Sequence, residues 1–237
     1  MRDLRRAHRA LEILVALAMA VVTLPILAAT LLISAAVYRA WPIFVHQRVG
    51  RDGVLFPFPK VRTLPPATSA YADKHAIGGE QIPAVMRAIR RIHLDELLQL
   101  WLVVSGRMAL VGPRPEMAVL HRRLAPIAAA ERTSVRPGVT GLWQVSVHCD
   151  GLICDRIEYD RLYVQHHNPL LDGWILWRTA QKMLLGRRVH LFDVPRWAIP
   201  PVPCRGVPLA SSSFIDLTAT EASTEQPAAK EPALSVG

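Results

Sequence analysis

Cysteine is scarce in this chain: Cys149, Cys154 and Cys204 are the only three, and no two form a Cys-x-x-Cys pair. A disulfide-built scaffold is excluded and a reducing compartment indicated, with a Cys149–Cys154 bridge the one pairing left open. Aromatic residues make up only 6%. There is no Cys/His finger spacing and no aromatic sheet motif of the RNA-recognition type, so no nucleic acid is expected as a partner. Acidic residues are also in the minority, 19 against 28 Lys and Arg, which leaves a formal charge of +9. With nucleic acid set aside, that excess suits an anionic membrane surface or phosphorylated substrates. A length of 237 residues allows one domain with a real core.

Charge is missing altogether from Ile13 to Val37. At ~1.5 Å per residue a helix of that length could cross the ~30 Å hydrocarbon core, and it exceeds the ~7–15 residues of a signal-peptide core. Pro25 lies mid-run, where it removes a helix hydrogen bond and kinks the axis, and Thr23 and Thr30 are placed to satisfy freed carbonyls. Both flanks are basic, with Arg2, Arg5, Arg6 and Arg9 before the run and Arg39, Arg48 and Arg51 after it. The positive-inside rule therefore gives no orientation. A kinked spanning helix and a helix that bends at Pro25 and returns to the same face are equally compatible with this pattern.

The stretch Arg91–Glu116 carries the chemistry. Helical spacing from Ile82 to Trp101 predicts one helix, on which Arg87, Arg91, Asp95 and Gln99 form an i+4 ridge, with Glu96 about 100° around the axis. Downstream, Gly112-Pro113-Arg114-Pro115 holds one guanidinium on a stiff, non-helical segment. Upstream, Gly50 and Gly53 bracket a turn before the apolar run Val54-Leu55-Phe56, which predicts a hairpin leading into Lys60 and Arg62. On a strand those two cations share one face, as a phosphate site would require. Each feature alone also describes an ordinary solvated surface.

Their order changes that. Gln47-Arg48-x-Gly50, Lys60-x-Arg62-Thr63, Asp95-Glu96-Leu97-x-Gln99-Leu100, Gly112-Pro113-Arg114-Pro115 and Arg136-Pro137-Gly138-Val139-Thr140-Gly141-Leu142-Trp143-Gln144 follow one another. This series resembles the bacterial sugar transferases, the monotopic phosphoglycosyl transferases, over roughly Leu11 to Leu185. The resemblance implies transfer of a sugar 1-phosphate from a UDP-sugar to polyprenyl (undecaprenyl) phosphate, starting exopolysaccharide or glycan assembly. It implies Asp95 as nucleophile through a phosphosugar-Asp intermediate, Glu96 beside it as a ligand of Mg²⁺, and a re-entrant membrane helix broken at Pro25. Location at the cytoplasmic face of the bacterial inner membrane follows from the same resemblance. Lys60, Arg62, Arg91 and Arg114 are then the cations that meet substrate phosphate. Asp160, in an Asp-x-x-Tyr-Val segment similar to one in the family, becomes a nucleotide or metal contact; an ion pair with Arg156 is the structural alternative. The chain departs from the family pattern at Leu24, Leu98, Leu102, Arg107 and Ala109, and an inactive membrane-anchored interaction protein of the same fold is the alternative reading.

The expected architecture is α+β: a re-entrant or kinked membrane helix over residues 1–40, then a mostly helical cytoplasmic catalytic domain with a short hairpin over 41–190. A Pro-rich, disordered tail is expected over 191–237. Within the domain, Leu142–Val147 reads as a strand and Cys154–His166 as a helix. Asn168-Pro169 starts a helix that Gly186 stops. Its Trp174, Trp177 and flanking cations suit a membrane interface.

Overall fold

The computed structural model of the protein describes residues 2–68 and 82–199. Residues 69–81 lie outside the described residues, as does the expected tail from residue 200. Over the described residues the chain is α+β and mostly helical, with two small two-stranded sheets.

Helix α1, Arg2–Tyr38, runs without interruption through Pro25. Its buried positions Ala16, Ala20, Leu27, Thr30 and Ser34 fall on one face. Mostly small residues there let the helix backbone approach its neighbours closely. The rest of the helix is apolar and open, with Leu14, Val22 and Leu32 at 62–73% exposure. Thr23 and Thr30 do donate to helix carbonyls, but to Met19 and Ile26. The carbonyl that Pro25 leaves without a donor belongs to Val21, so the threonines back-bond their own turns.

The hairpin forms where expected, from β1 (Ile43–Val49) and β2 (Leu55–Val61). The turn takes positive φ at Asp52 and Gly53. A second sheet was not legible in the sequence: β3 (Ala109–Val111) pairs in parallel with β4 (Gly138–Thr140). These three-residue strands bring the Gly112-Pro113-Arg114-Pro115 and Pro137-Gly138-Val139-Thr140-Gly141 segments together. The approach needs glycine, because a Cβ on Gly138 would sit 2.1 Å from the Gly112 nitrogen.

The helix expected from Ile82 to Trp101 is two helices. Helix α2, Ala84–Arg91, ends at Ile92; His93 turns left-handed at φ 58°, and a 3₁₀ turn over Leu94–Glu96 precedes α3, Gln99–Val104. The i+4 ridge therefore does not exist. Helices α4 (Ala118–His121) and α5 (Pro126–Thr133) follow β3. Within Leu142–Val147, read as a strand, Leu142–Val145 is the short helix α6. Helix α7 spans Glu158–His166.

Helix α8, Pro169–Leu185, has the predicted ends. Asn168 accepts from the Leu170 and Leu171 amides, and Gly186 closes the helix in the left-handed region. Arg178 lies between the Trp174 and Trp177 rings, 5.4 and 5.3 Å from their centroids. The core continues past residue 190: turns at Leu191–Asp193 and Arg196–Ala198 bury Val194 and Ala198. Cys149 is a free thiol.

Candidate active site

The hairpin builds one wall. Its register sets Phe44 opposite Lys60, His46 opposite Phe58 and Arg48 opposite Phe56. Alternation puts all six side chains on one face. Arg48 and Lys60 both lie over the Phe58 ring, 5.6 and 5.5 Å from its centroid. This face packs on the Leu94–Glu96 turn. Burial first, then the charges of Arg48, Lys60 and Arg114, push the His46 pKa down to about 3. His46 is therefore neutral and accepts from Arg48 Nε at 2.5 Å through Nε2.

Glu96 is the centre of the cluster. Lys60 Nζ donates to its Oε1 at 2.5 Å, and Arg114 reaches both oxygens, Nη2 to Oε1 at 2.8 Å and Nη1 to Oε2 at 3.4 Å. Burial alone would raise the Glu96 pKa, but Arg114 and Lys60 outweigh it and hold the carboxyl well below its usual range. The Arg114 pKa is raised in turn, chiefly by Glu96.

Asp95 has the opposite surroundings. It is 6% exposed, and burial raises its pKa despite the nearby charges of Lys60 and Arg90. Among the described residues no side chain or backbone amide donates a hydrogen bond to its carboxylate. Two adjacent carboxylates thus have separate environments. Glu96 is saturated with cations, while Asp95 keeps its lone pairs. The break at His93 causes this, because it turns Asp95 and Glu96 out of the helix that carries Arg87 and Arg91.

The structure brings together Asp95, Glu96, Lys60 and Arg114 of the residues singled out in the sequence. Arg91 is exposed; its neighbour Arg90 is the α2 cation whose charge reaches Asp95, and it donates to the Thr63 hydroxyl at 3.1 Å. Arg62 stays on the hairpin face over Phe44, but its Nε is bonded to the Trp41 carbonyl at 2.8 Å and it is not at Glu96. Asp160 contacts neither the dyad nor Arg156. It is 1% exposed and accepts from Arg132 Nε at 2.6 Å, while Arg156 lies 3.8 Å from Glu158. Pro25 sits inside α1 and is exposed. His46, Arg48 and Arg90 were missed as site residues. Period-two spacing from Phe44 could have placed His46 and Arg48; nothing local distinguishes Arg90 from Arg91 until the helix end is known. The departure at Arg107 is exposed, and its charge is not among those that dominate at Asp95 or Glu96.

A buried carboxylate without a donor among the described residues, beside a second one gripped by lysine and an arginine fork, is an arrangement suited to phosphoryl chemistry. The family model described as bacterial sugar transferase matches residues 4–186, which include every residue of this cluster. The chain belongs to that family. It is 36% identical over 158 residues to the undecaprenyl-phosphate galactose phosphotransferase of Salmonella typhimurium, covering 60% of this chain and 33% of that one. It is 31% identical over 158 residues to the exopolysaccharide production protein ExoY of Sinorhizobium fredii, covering 60% of this chain and 70% of that one. A third relative is the UDP-N-acetylgalactosamine-undecaprenyl-phosphate N-acetylgalactosaminephosphotransferase of Aeromonas hydrophila, 30% identical over 179 residues, 70% of this chain and 42% of that one. The alignment spans only a third of the Salmonella relative's length.

Proposed function

We propose that this sugar transferase moves a sugar 1-phosphate from a UDP-sugar to a polyprenyl phosphate at a membrane surface, with Asp95 as the nucleophile. The observation that carries the reading is the contrast within the dyad: a buried Asp95 whose carboxylate has no donor among the described residues, next to a Glu96 that concentrates two cations. The names of the relatives supply the substrate class.

In the first step an Asp95 oxygen attacks the phosphorus that bears the sugar. A P–O bond forms, the bond to the second phosphate breaks, and uridine monophosphate leaves with that electron pair. In the second step a phosphate oxygen of the lipid attacks the same phosphorus and Asp95 leaves as carboxylate, so the enzyme is regenerated. Lys60 and Arg114 are placed to stabilise phosphate oxygens in both steps, by moving part of their hydrogen bonding from Glu96 to substrate. That shift also releases Glu96 oxygens. No group of three metal-ligating side chains occurs among the described residues. Two adjacent carboxylates are the donor set that suits Mg²⁺ in the form that takes one or two carboxylates and draws its other ligands from substrate phosphate and water. Asp95 and Glu96 would hold the ion, which when bound neutralises diphosphate charge and aids departure of the nucleotide.

The attachment of α1 supports a same-side arrangement at the membrane. Near its start Arg9 donates to the Val103 and Met108 carbonyls at 2.9 and 3.0 Å, and Glu12 accepts from the Leu110 amide at 2.5 Å. Near its end Ser34 donates to the Arg62 carbonyl at 2.6 Å and Tyr38 to the Thr63 carbonyl at 2.9 Å. A helix crossing a bilayer would place these two groups on opposite faces, yet both bind one domain. The open apolar side of α1 is left for lipid, and the exposed Trp177, Leu184, Phe192 and Trp197 suit the interface. The 3₁₀ turn carrying the dyad touches α1, so the lipid substrate would arrive where Asp95 lies.

This arrangement predicts the topology. A cysteine tag placed ahead of Arg2 should be labelled by an impermeant reagent only from the cytoplasmic side, and Pro25→Ala should leave it there, because both helix ends are tied to the domain. Labelling of the wild-type tag from the periplasmic side would overturn the same-side arrangement.

A further inference from the structure

The Pro113-Arg114-Pro115-Glu116 segment is fixed in an unusual way. Its two prolines have no N–H, so the segment has few donors of its own. Instead, four successive carbonyls each accept a hydrogen bond from elsewhere. Pro113 accepts from the Gly138 amide at 2.9 Å and Glu116 from the Val49 amide at 2.9 Å. Between them, Pro115 accepts from Arg48 Nη1 at 3.3 Å, and Arg114 accepts from Arg132 Nη2. Two of the four clamps are therefore guanidinium groups.

Arg132 is the more committed of the two. It is 5% exposed, and Asp160, at 1%, accepts from its Nε at 2.6 Å. Asp160 on α7 thus fixes Arg132 on α5, Arg132 fixes the main chain of Arg114, and the Arg114 side chain forms the fork on Glu96. A buried pair of this kind contributes little to net stability, because desolvation of both ions offsets their attraction. An apolar pair would hold α5 against α7 as well. What an apolar pair could not do is donate to the Arg114 carbonyl.

We infer that Arg132, anchored by Asp160, is a positioning residue: it sets the direction from which the Arg114 guanidinium meets Glu96 and, in turn, substrate phosphate. The inference rests on the proposed role of Arg114. It assigns Asp160 a task at the site that needs no contact with nucleotide or metal.

The test uses the full chain in lipid nanodiscs. Arg132→Lys keeps a cation beside Asp160 but loses the rigid fork that serves two acceptors at once. The paired replacement Arg132→Met with Asp160→Leu keeps the volume and removes both charges, so the fold is retained and a melting temperature within about 5 °C of wild type is expected. In both, the Arg114–Glu96 contact should lengthen beyond hydrogen-bond reach in a crystal structure. The affinity for inorganic pyrophosphate, measured by calorimetry, should fall about tenfold. With a UDP-sugar that wild type turns over, kcat should fall about 100-fold, the scale of a 1 Å misplacement, with a smaller change in KM. A paired variant with the fork intact and wild-type kcat would overturn the inference and leave the ion pair a packing element. If wild type turns over no UDP-sugar, the proposed function fails; the fork geometry and pyrophosphate affinity still decide the positioning role.

Discussion

Replacing Asp95 with asparagine is expected to reduce sugar-phosphate transfer by on the order of 10⁴-fold or more, the scale seen when a covalent nucleophile is lost. The amide has nearly the same shape and removes the charge from a site where burial already disfavours it. Folding should therefore be unchanged or slightly improved, and the melting temperature should not fall. That combination separates a chemical role from a structural one. Glu96→Gln should behave differently: it removes the counter-charge of Lys60 and Arg114, so stability and magnesium dependence should change together with rate. Near-normal turnover by Asp95→Asn would remove Asp95 from the mechanism.

The second large effect is expected at Arg114. Arg114→Ala leaves the half-buried Glu96 carboxylate with Lys60 as its remaining side-chain donor among the described residues. Breaking a fully buried ion pair from one side costs about 3–5 kcal/mol; this pair is part-buried, at 20% and 13% side-chain exposure, and Lys60 is retained, so the cost should fall below that range. The same change removes a preorganised donor from the phosphate site, which is worth roughly 10²–10³ in kcat/KM. Arg114→Lys should recover most of the stability but little of the rate, because an ammonium cannot span both Glu96 oxygens or two phosphate oxygens as a planar fork does. Urea denaturation and donor kinetics on the two variants would show the split. Equal recovery of stability and rate by lysine would mean that the site needs a charge there and not a fork.

The parts of this structure that were legible in the sequence are those with local chemistry. Asn168-Pro169 and Gly186 mark the ends of α8 because a cap, a fixed φ and a left-handed residue are properties of single side chains. The hairpin was readable from Gly50 and Gly53 beside alternating apolar residues. That Asp95, Glu96, Lys60 and Arg114 cluster was readable because the family motifs keep them in order. The break at His93 was not, since it falls inside a stretch whose apolar spacing reads as one continuous helix, with no Gly or Pro to mark the left-handed residue. That one residue replaces the expected i+4 ridge, and with it the assignment of Arg91 in place of Arg90. The β3–β4 pair was hidden by strands of three residues that bond across a long sequence separation. The ion pair of Asp160 was misread for the same reason: its partner Arg132 lies 28 positions away, whereas Arg156, the expected one, sits one helical turn before it.

The placement of α1 follows the same division. Hydropathy alone identifies an apolar helix and leaves its path open. Only the polar contacts at its two ends, Arg9 and Glu12 at one and Ser34 and Tyr38 at the other, tie both to one domain. The small-residue stripe between them is what a docked helix needs, and a freely spanning helix does not.

The covalent route through Asp95 is tested most directly by mixing the purified full-length enzyme with Mg²⁺ and a UDP-sugar that it turns over, with no lipid acceptor present. A covalent intermediate predicts release of uridine monophosphate up to, and not beyond, one equivalent of enzyme. Intact-mass analysis should show the gain of one sugar phosphate, localised to the peptide that contains Asp95 and absent from Asp95→Asn. Uridine monophosphate that appears only after polyprenyl phosphate is added, with no mass gain beforehand, would contradict it and point to direct transfer between the two substrates.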